Sequence, residues 1–202
     1  MESLVGQLGR RLTVEHSIFA MELCVPLDPS LHATLRDLVA SQPERVGFQQ
    51  KWQLYRAAAD LVLSHLEHMD RGCWDYFDND ARARKDFDMW VKGMTTEEGV
   101  RNGPLVEGGD PYRQQTRYMT LTMAFLLVQG TPTDLAMRAL CNIPQADLWK
   151  RATFVRILQG MGTLNFASVQ SDVIYVIPGD ASWGLTLDDL AATKFDYLRR
   201  VL

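Results

Sequence analysis

Apolar and polar positions recur along most of this chain with a period that changes from segment to segment. Between Ser17 and Pro26 the period is two: Phe19, Met21, Leu23 and Val25 share one face of a predicted strand, and Ile18, Ala20, Glu22 and Cys24 the other. Asp28 then stands as an N-cap with Pro29 at the first helical position. Leu31, Leu35, Leu38 and Val39 follow at helical spacing until Pro43 stops the run. Trp52, Tyr55, Ala59, Val62 and Leu66 recur at steps of three and four, which predicts a helix with one buried stripe from about Phe48 to His68. Burying each such large side chain contributes roughly 1.5–3 kcal/mol, so this helix belongs at the centre of the core. Arg71-Gly72 breaks it. The aromatic run Cys73-Trp74-Asp75-Tyr76-Phe77 leads into a further helix with Phe87, Trp90, Val91 and Met94 on one side.

The pattern lapses over 99–113, where Gly103-Pro104, Gly108-Gly109 and Asp110-Pro111 crowd together as turn signals. Arg117 to Gln129 then alternates as a major strand, with Met119, Leu121, Met123, Phe125 and Leu127 on one face. Its other face is polar early (Thr120, Thr122) and apolar late, so the strand is expected to enter the core from an exposed end. Thr131-Pro132 reads as a capped helix start, and a second helix carries Leu148, Ala152, Val155, Leu158 and Met161. Asp172 to Pro178 is an unbroken apolar strand, expected to be covered on both faces. Thr186 and Asp189 form a capping box for a last helix. These elements predict a single α+β domain over 1–202: a helical front half at about 28–98, the loop at 99–113 and a mixed back half at 114–202. The sheet is expected to be small, mainly antiparallel or mixed, with about three strands packed against several helices.

Composition narrows the class without changing that picture. Of 202 residues, 47% are apolar and 23% charged, the balance of a chain that buries a core and not of a disordered one. The net charge of −4 argues against nucleic acid, whose recognition needs a basic face. The densest basic group, Arg82, Arg84 and Lys85, is interleaved with Asp78, Asp80, Asp86 and Asp88 and reads as a self-paired helix face. Cys24, Cys73 and Cys141 form no CxxC pair and suit a reducing, intracellular compartment, here taken as cytoplasmic. No window approaches the ~18 consecutive apolar residues of a spanning helix.

Candidate chemistry is sparse. His65 and His68 lie one helical turn apart with Asp70 and Cys73 just beyond, which is metal-ligand material; surface histidines at a helix C-terminus are the simpler reading. Gly160-Met161-Gly162 follows a helix instead of a strand, with Asn165 where a dinucleotide loop needs its third glycine. Ser182 is one residue off a nucleophile elbow and has no base near it in sequence. Asp75, Asp78 and Asp80 lack the glycine and distal glutamate of a calcium loop, and Asp78 or Asn79 serves better as a helix cap. No catalytic, cofactor or metal residue is therefore assigned. Trp74, Tyr76 and Phe77 read as core or as a contact anchor, and Trp183, in a glycine-flanked turn, as the better candidate for an exposed contact.

The segments Ala20 to Pro26, Leu31 to Leu38, Leu61 to Leu66, Tyr118 to Val128, Asp172 to Pro178 and Leu185 to Leu190, in that order, carry a resemblance. Over roughly 18–190 the chain resembles the uncharacterised domain family of cyanobacterial and chloroplast thylakoid-associated proteins that includes the plant fluctuating-light acclimation protein. The resemblance implies an α+β regulatory or interaction domain working near a membrane; it transfers no functional residue. Together these observations predict a non-enzymatic domain that binds a protein partner or itself, with a membrane-proximal partner compatible. The alternative is a small-ligand or metal-binding enzyme with its site near His65, His68, Asp70 and Cys73.

Overall fold

The computed structural model describes residues 14–41, 47–93, 115–179 and 184–202. Pro43, the segment 99–113, Ser182 and Trp183 lie outside these residues, so the stop, the loop and the exposed-contact expectations placed on them do too.

Among the described residues five strands form one sheet: β1 (His16–Pro26), β2 (Arg71–Phe77), β3 (Tyr118–Val128), β4 (Val169–Ile177) and β5 (Arg199–Arg200). Their spatial order is β4-β3-β1-β2-β5, and every neighbouring pair is antiparallel. Six helices accompany them: α1 (Pro29–Ala40), α2 (Phe48–Leu63), α3 (Asp80–Gly93), α4 (Pro132–Cys141), α5 (Arg151–Gly160) and α6 (Leu187–Leu190). The α+β class is as predicted, but the strand count is five and not about three. The two strands missed are β2 and β5. In β2 both faces carry aromatics, so alternation gives no polar–apolar contrast; β5 has two residues and no period at all. No described helix is long and apolar enough to cross a membrane.

Local chemistry sets the helix starts. The Asp28 carboxylate accepts from Leu31 N at 2.8 Å to cap α1, and the Gln50 side chain accepts from Gly47 N at 3.0 Å to cap α2. Asn79 accepts from Arg82 N at 3.0 Å ahead of α3. Thr186 and Asp189 bond reciprocally at 3.0 and 2.8 Å around α6. The long second helix ends at Leu63, and Leu66–His68 continues as a separate 3-10 turn. At Gly72 a Cβ would run into the side chains of Met69 and Phe154, so the helical layer sits directly on β2 there.

The central β1–β3 ladder runs unbroken from His16↔Val128 to Pro26↔Tyr118. Its odd-numbered face is large and apolar: Phe19, Met21 and Leu23 lie beside Leu121, Met123 and Phe125, all packed under α1, α2, α4 and α5. Phe125 is enclosed by Phe19, Tyr55 and Phe166, with ring centroids 6.1, 4.6 and 6.0 Å away. The even-numbered face is covered by α3 and by the C-terminal segment that carries Leu190, Phe195 and Leu198. Helical cover on both faces overturns the expected exposed end of β3, because Thr120 and Thr122 are fully buried.

Candidate functional site

The two faces of the sheet differ in side-chain size, and that difference makes a cavity. Where the odd face presents phenylalanine, leucine and methionine, the even face presents Ala20, Cys24, Cys73, Thr120, Thr122 and Ala124. Small side chains there leave room beside α3, which packs on β1 and β3, and the C-terminal segment. Between them and the sheet lies a cavity of about 710 Å³. Ala20, Cys73 and Tyr175 contribute to its floor, Met89 and Trp90 to the α3 wall, and Phe195 and Tyr197 to the opposite wall. An edge-on contact between Trp90 and Tyr197, centroids 5.7 Å apart, ties the two walls together. The rim is charged. Arg82 is bonded to Asp86 at 3.2 Å and lies 3.2 Å over the Phe77 ring, and Lys92, Lys194 and Arg199 add to a positive excess over Asp75 and Asp86.

A polar row crosses four strands in register, with its ends in the floor: Tyr175 on β4, Thr122 on β3, Glu22 on β1 and Cys73 on β2. Glu22 has no exposed surface. Its Oε2 accepts a 2.8 Å hydrogen bond from the Tyr197 hydroxyl, while Oε1 and the hydroxyls of Thr120 and Thr122 are buried with no hydrogen-bond partner. The two threonines stand close enough to favour the charged carboxylate somewhat, yet neither meets hydrogen-bond geometry, so its desolvation is left largely uncompensated. Burial therefore raises the Glu22 pKa despite the Tyr197 bond. Burial, and then the nearby Glu22 charge, raises Cys73, Tyr175 and Tyr197 as well. Asp75 on the cavity wall is raised by burial in the same way. Burial thus favours the neutral form of each of these groups, and Cys73 held as a thiol is a poor nucleophile.

A second buried acid behaves differently. Asp134 is fully buried, but its carboxylate accepts from the Ser17 hydroxyl, from Tyr76 OH at 2.5 Å and from Gly130 N at 2.8 Å. Bonded on both oxygens, it clamps the β3–α4 turn to β1 and β2 and is structural.

The residues singled out in the sequence do not converge. His65 bonds locally at the end of α2, with Nδ1 2.9 Å from Ser64 Oγ and 3.1 Å from Leu61 O. His68 is exposed and pairs with Glu67 at 3.1 Å; Asp70 pairs with Arg71 at 3.2 Å. Only Cys73 of that set lines the cavity. Among the described residues no group of three His, Cys, Asp or Glu side chains is placed to hold a metal ion. The aromatic run is divided by strand alternation. Trp74 and Tyr76 pack toward the odd face, where Trp74 Nε1 donates to Leu148 O at 3.0 Å, while Phe77 packs toward the even face. All three are half-buried. The basic group on α3 is self-paired, Arg82 with Asp86 at 3.2 Å and Arg84 with Asp80 at 3.1 Å.

Sequence reasoning missed Glu22, Thr120, Thr122, Tyr175 and Tyr197. One signal was present: a glutamate of the same parity as Ile18, Ala20 and Cys24 in an otherwise apolar strand. Compared with protein-family models, curated proteins and solved structures, the chain matches none.

Proposed function

We propose that this chain is a non-enzymatic, regulatory domain that binds a small, mainly apolar molecule in the cavity between α3, the C-terminal segment and the even face of the sheet. The observation that carries this reading is the cavity itself, floored in part by the small side chains Ala20 and Cys73. Its volume of about 710 Å³ lies within the range typical of ligand sites, and its aromatic walls suit an apolar body. The non-enzymatic character is supported by the cavity's Cys73 and Tyr197, whose pKa values burial raises, since a neutral thiol and phenol are poor nucleophiles. A thylakoid-type setting and a protein partner that reads the ligand state are compatible with this proposal and are not needed by it.

The test is fluorescence titration of the whole chain with N-phenyl-1-naphthylamine, a neutral apolar probe. Saturable one-to-one binding is expected. It should be lost in Ala20→Leu, which fills the floor, and weakened in Met89→Glu, which places a charge on the wall at an exposed and structurally tolerant position. Absence of saturable binding to the folded wild-type chain, or binding unchanged in both variants, refutes the proposal.

A further inference from the structure

Three oxygens of one small region, Glu22 Oε1, Thr120 Oγ1 and Thr122 Oγ1, are buried on the same face of the sheet without a hydrogen-bond partner. Folded proteins pair nearly all such atoms, and a cluster of unpaired ones marks a place where a polar atom from outside the chain belongs. Thr122 is the cross-strand neighbour of Glu22, and Thr120 follows two residues along the same strand face. The three are therefore adjacent and not three separate defects.

None of the three lines the cavity, but neighbours of theirs do. Cys73, Tyr175 and Tyr197 line the cavity and also surround Glu22: Cys73 as its partner on β2, Tyr175 across Thr122 on β4, and Tyr197 through its hydroxyl. Of these, Tyr197 is 40% exposed and belongs to the short C-terminal segment, so its hydroxyl is the contact that a bound molecule displaces most readily. The groups that act on Glu22 are Tyr197, Thr120 and Thr122, none of them cationic.

We propose that the molecule bound in this cavity is neutral and largely apolar and carries one hydroxyl oxygen, which docks against Glu22 Oε1 and the hydroxyls of Thr120 and Thr122. The inference rests on the cavity being a ligand site and adds the chemical class of the ligand. A hydroxyl both donates and accepts, which matches a carboxyl and two rotatable hydroxyls. An anionic group would be desolvated beside a carboxyl with no cation among the groups acting on it, so a carboxylate of the same shape is excluded. A purely apolar molecule would leave the three oxygens as they are.

Three probes of matched shape separate these cases: biphenyl, 4-phenylphenol and biphenyl-4-carboxylate, each used to displace N-phenyl-1-naphthylamine from the whole chain. 4-Phenylphenol is expected to bind at least about tenfold more tightly than either of the others, the size of one well-made buried hydrogen bond. In Glu22→Met and in Thr122→Val that preference should fall to less than about threefold while biphenyl affinity is retained. Equal affinity of the wild-type chain for biphenyl and 4-phenylphenol overturns the inference and assigns the three oxygens to buried water alone, leaving the cavity reading intact. A phenol preference that persists unchanged in both variants overturns it too, as does tightest binding of the carboxylate. Failure of every probe, N-phenyl-1-naphthylamine included, refutes the cavity reading instead.

Discussion

Replacing Glu22 by methionine should make this protein more stable. Glu22 occupies the middle of the central ladder with no exposed surface and a single hydrogen bond, from Tyr197. Methionine is of similar length and unbranched, and so fits the same space. Removing Oε1 relieves an unpaired buried polar atom, worth about 1–3 kcal/mol, and the added apolar burial contributes about 1 kcal/mol more. The lost Tyr197 bond costs about 1 kcal/mol. The net expectation is a gain of about 1–3 kcal/mol, or an unfolding midpoint higher by about 2–12 °C for a chain of this size. The pH dependence sharpens the test. The folded-state pKa of Glu22 is raised above its ordinary value of 4.5. Below that value both folded and unfolded chains hold the proton. Above it the unfolded chain releases the proton first, so the wild type loses stability as pH rises through the folded-state pKa. Glu22→Met lacks this titration, and its advantage should be smallest near pH 4.5 and widen toward pH 8. Urea unfolding followed by tryptophan fluorescence at several pH values measures both quantities. A variant less stable than wild type at pH 8, or an advantage that shrinks with rising pH, would refute the reasoning.

The odd face should respond in the opposite sense. Phe125→Ala removes a fully buried ring held by three aromatic neighbours and should cost about 3–5 kcal/mol in urea unfolding; a loss below about 1 kcal/mol would show that this cluster is not the centre of the core. The thiols should be nearly inert in the folded chain. Burial raises Cys24 and Cys73 and pushes half-buried Cys141 up to about 12, which lowers the Cys141 thiolate fraction at pH 8 by roughly a hundred- to a thousandfold. A disulfide exchange reagent should titrate the three cysteines promptly only after denaturation. Any thiol reacting in the native chain at the rate of a free one contradicts this.

A fully packed face and an underfilled face on one sheet make a division of labour with a physical basis. Phe19, Met21, Leu23, Met123 and Phe125 interdigitate with four helices and supply the stability that allows the other side to carry a void and unpaired oxygens. Each of those features is destabilising taken alone. Features of this kind persist in a structure when something other than stability depends on them.

Much of the architecture was legible in the sequence because it rests on local rules. The period-two runs of β1 and β3, the helical stripe of Tyr55, Ala59 and Val62, the Asp28 and Thr131 caps and the Thr186–Asp189 box each depend on residues a few positions apart, and all lie where those rules placed them. Strand β2 was hidden because pleat alternation is visible only when the two faces differ in polarity, and both of its faces carry aromatics that pack on apolar layers. The candidate site was hidden for a different reason. Glu22, Thr122, Tyr175 and Tyr197 are separated by up to 175 residues in sequence, and no periodicity relates them. Strand order and register alone put them in one row, and the fold of the C-terminal segment alone brings the Tyr197 hydroxyl to Glu22. Local pattern determines which side chains turn inward; only the long-range pairing of strands decides which of them meet there.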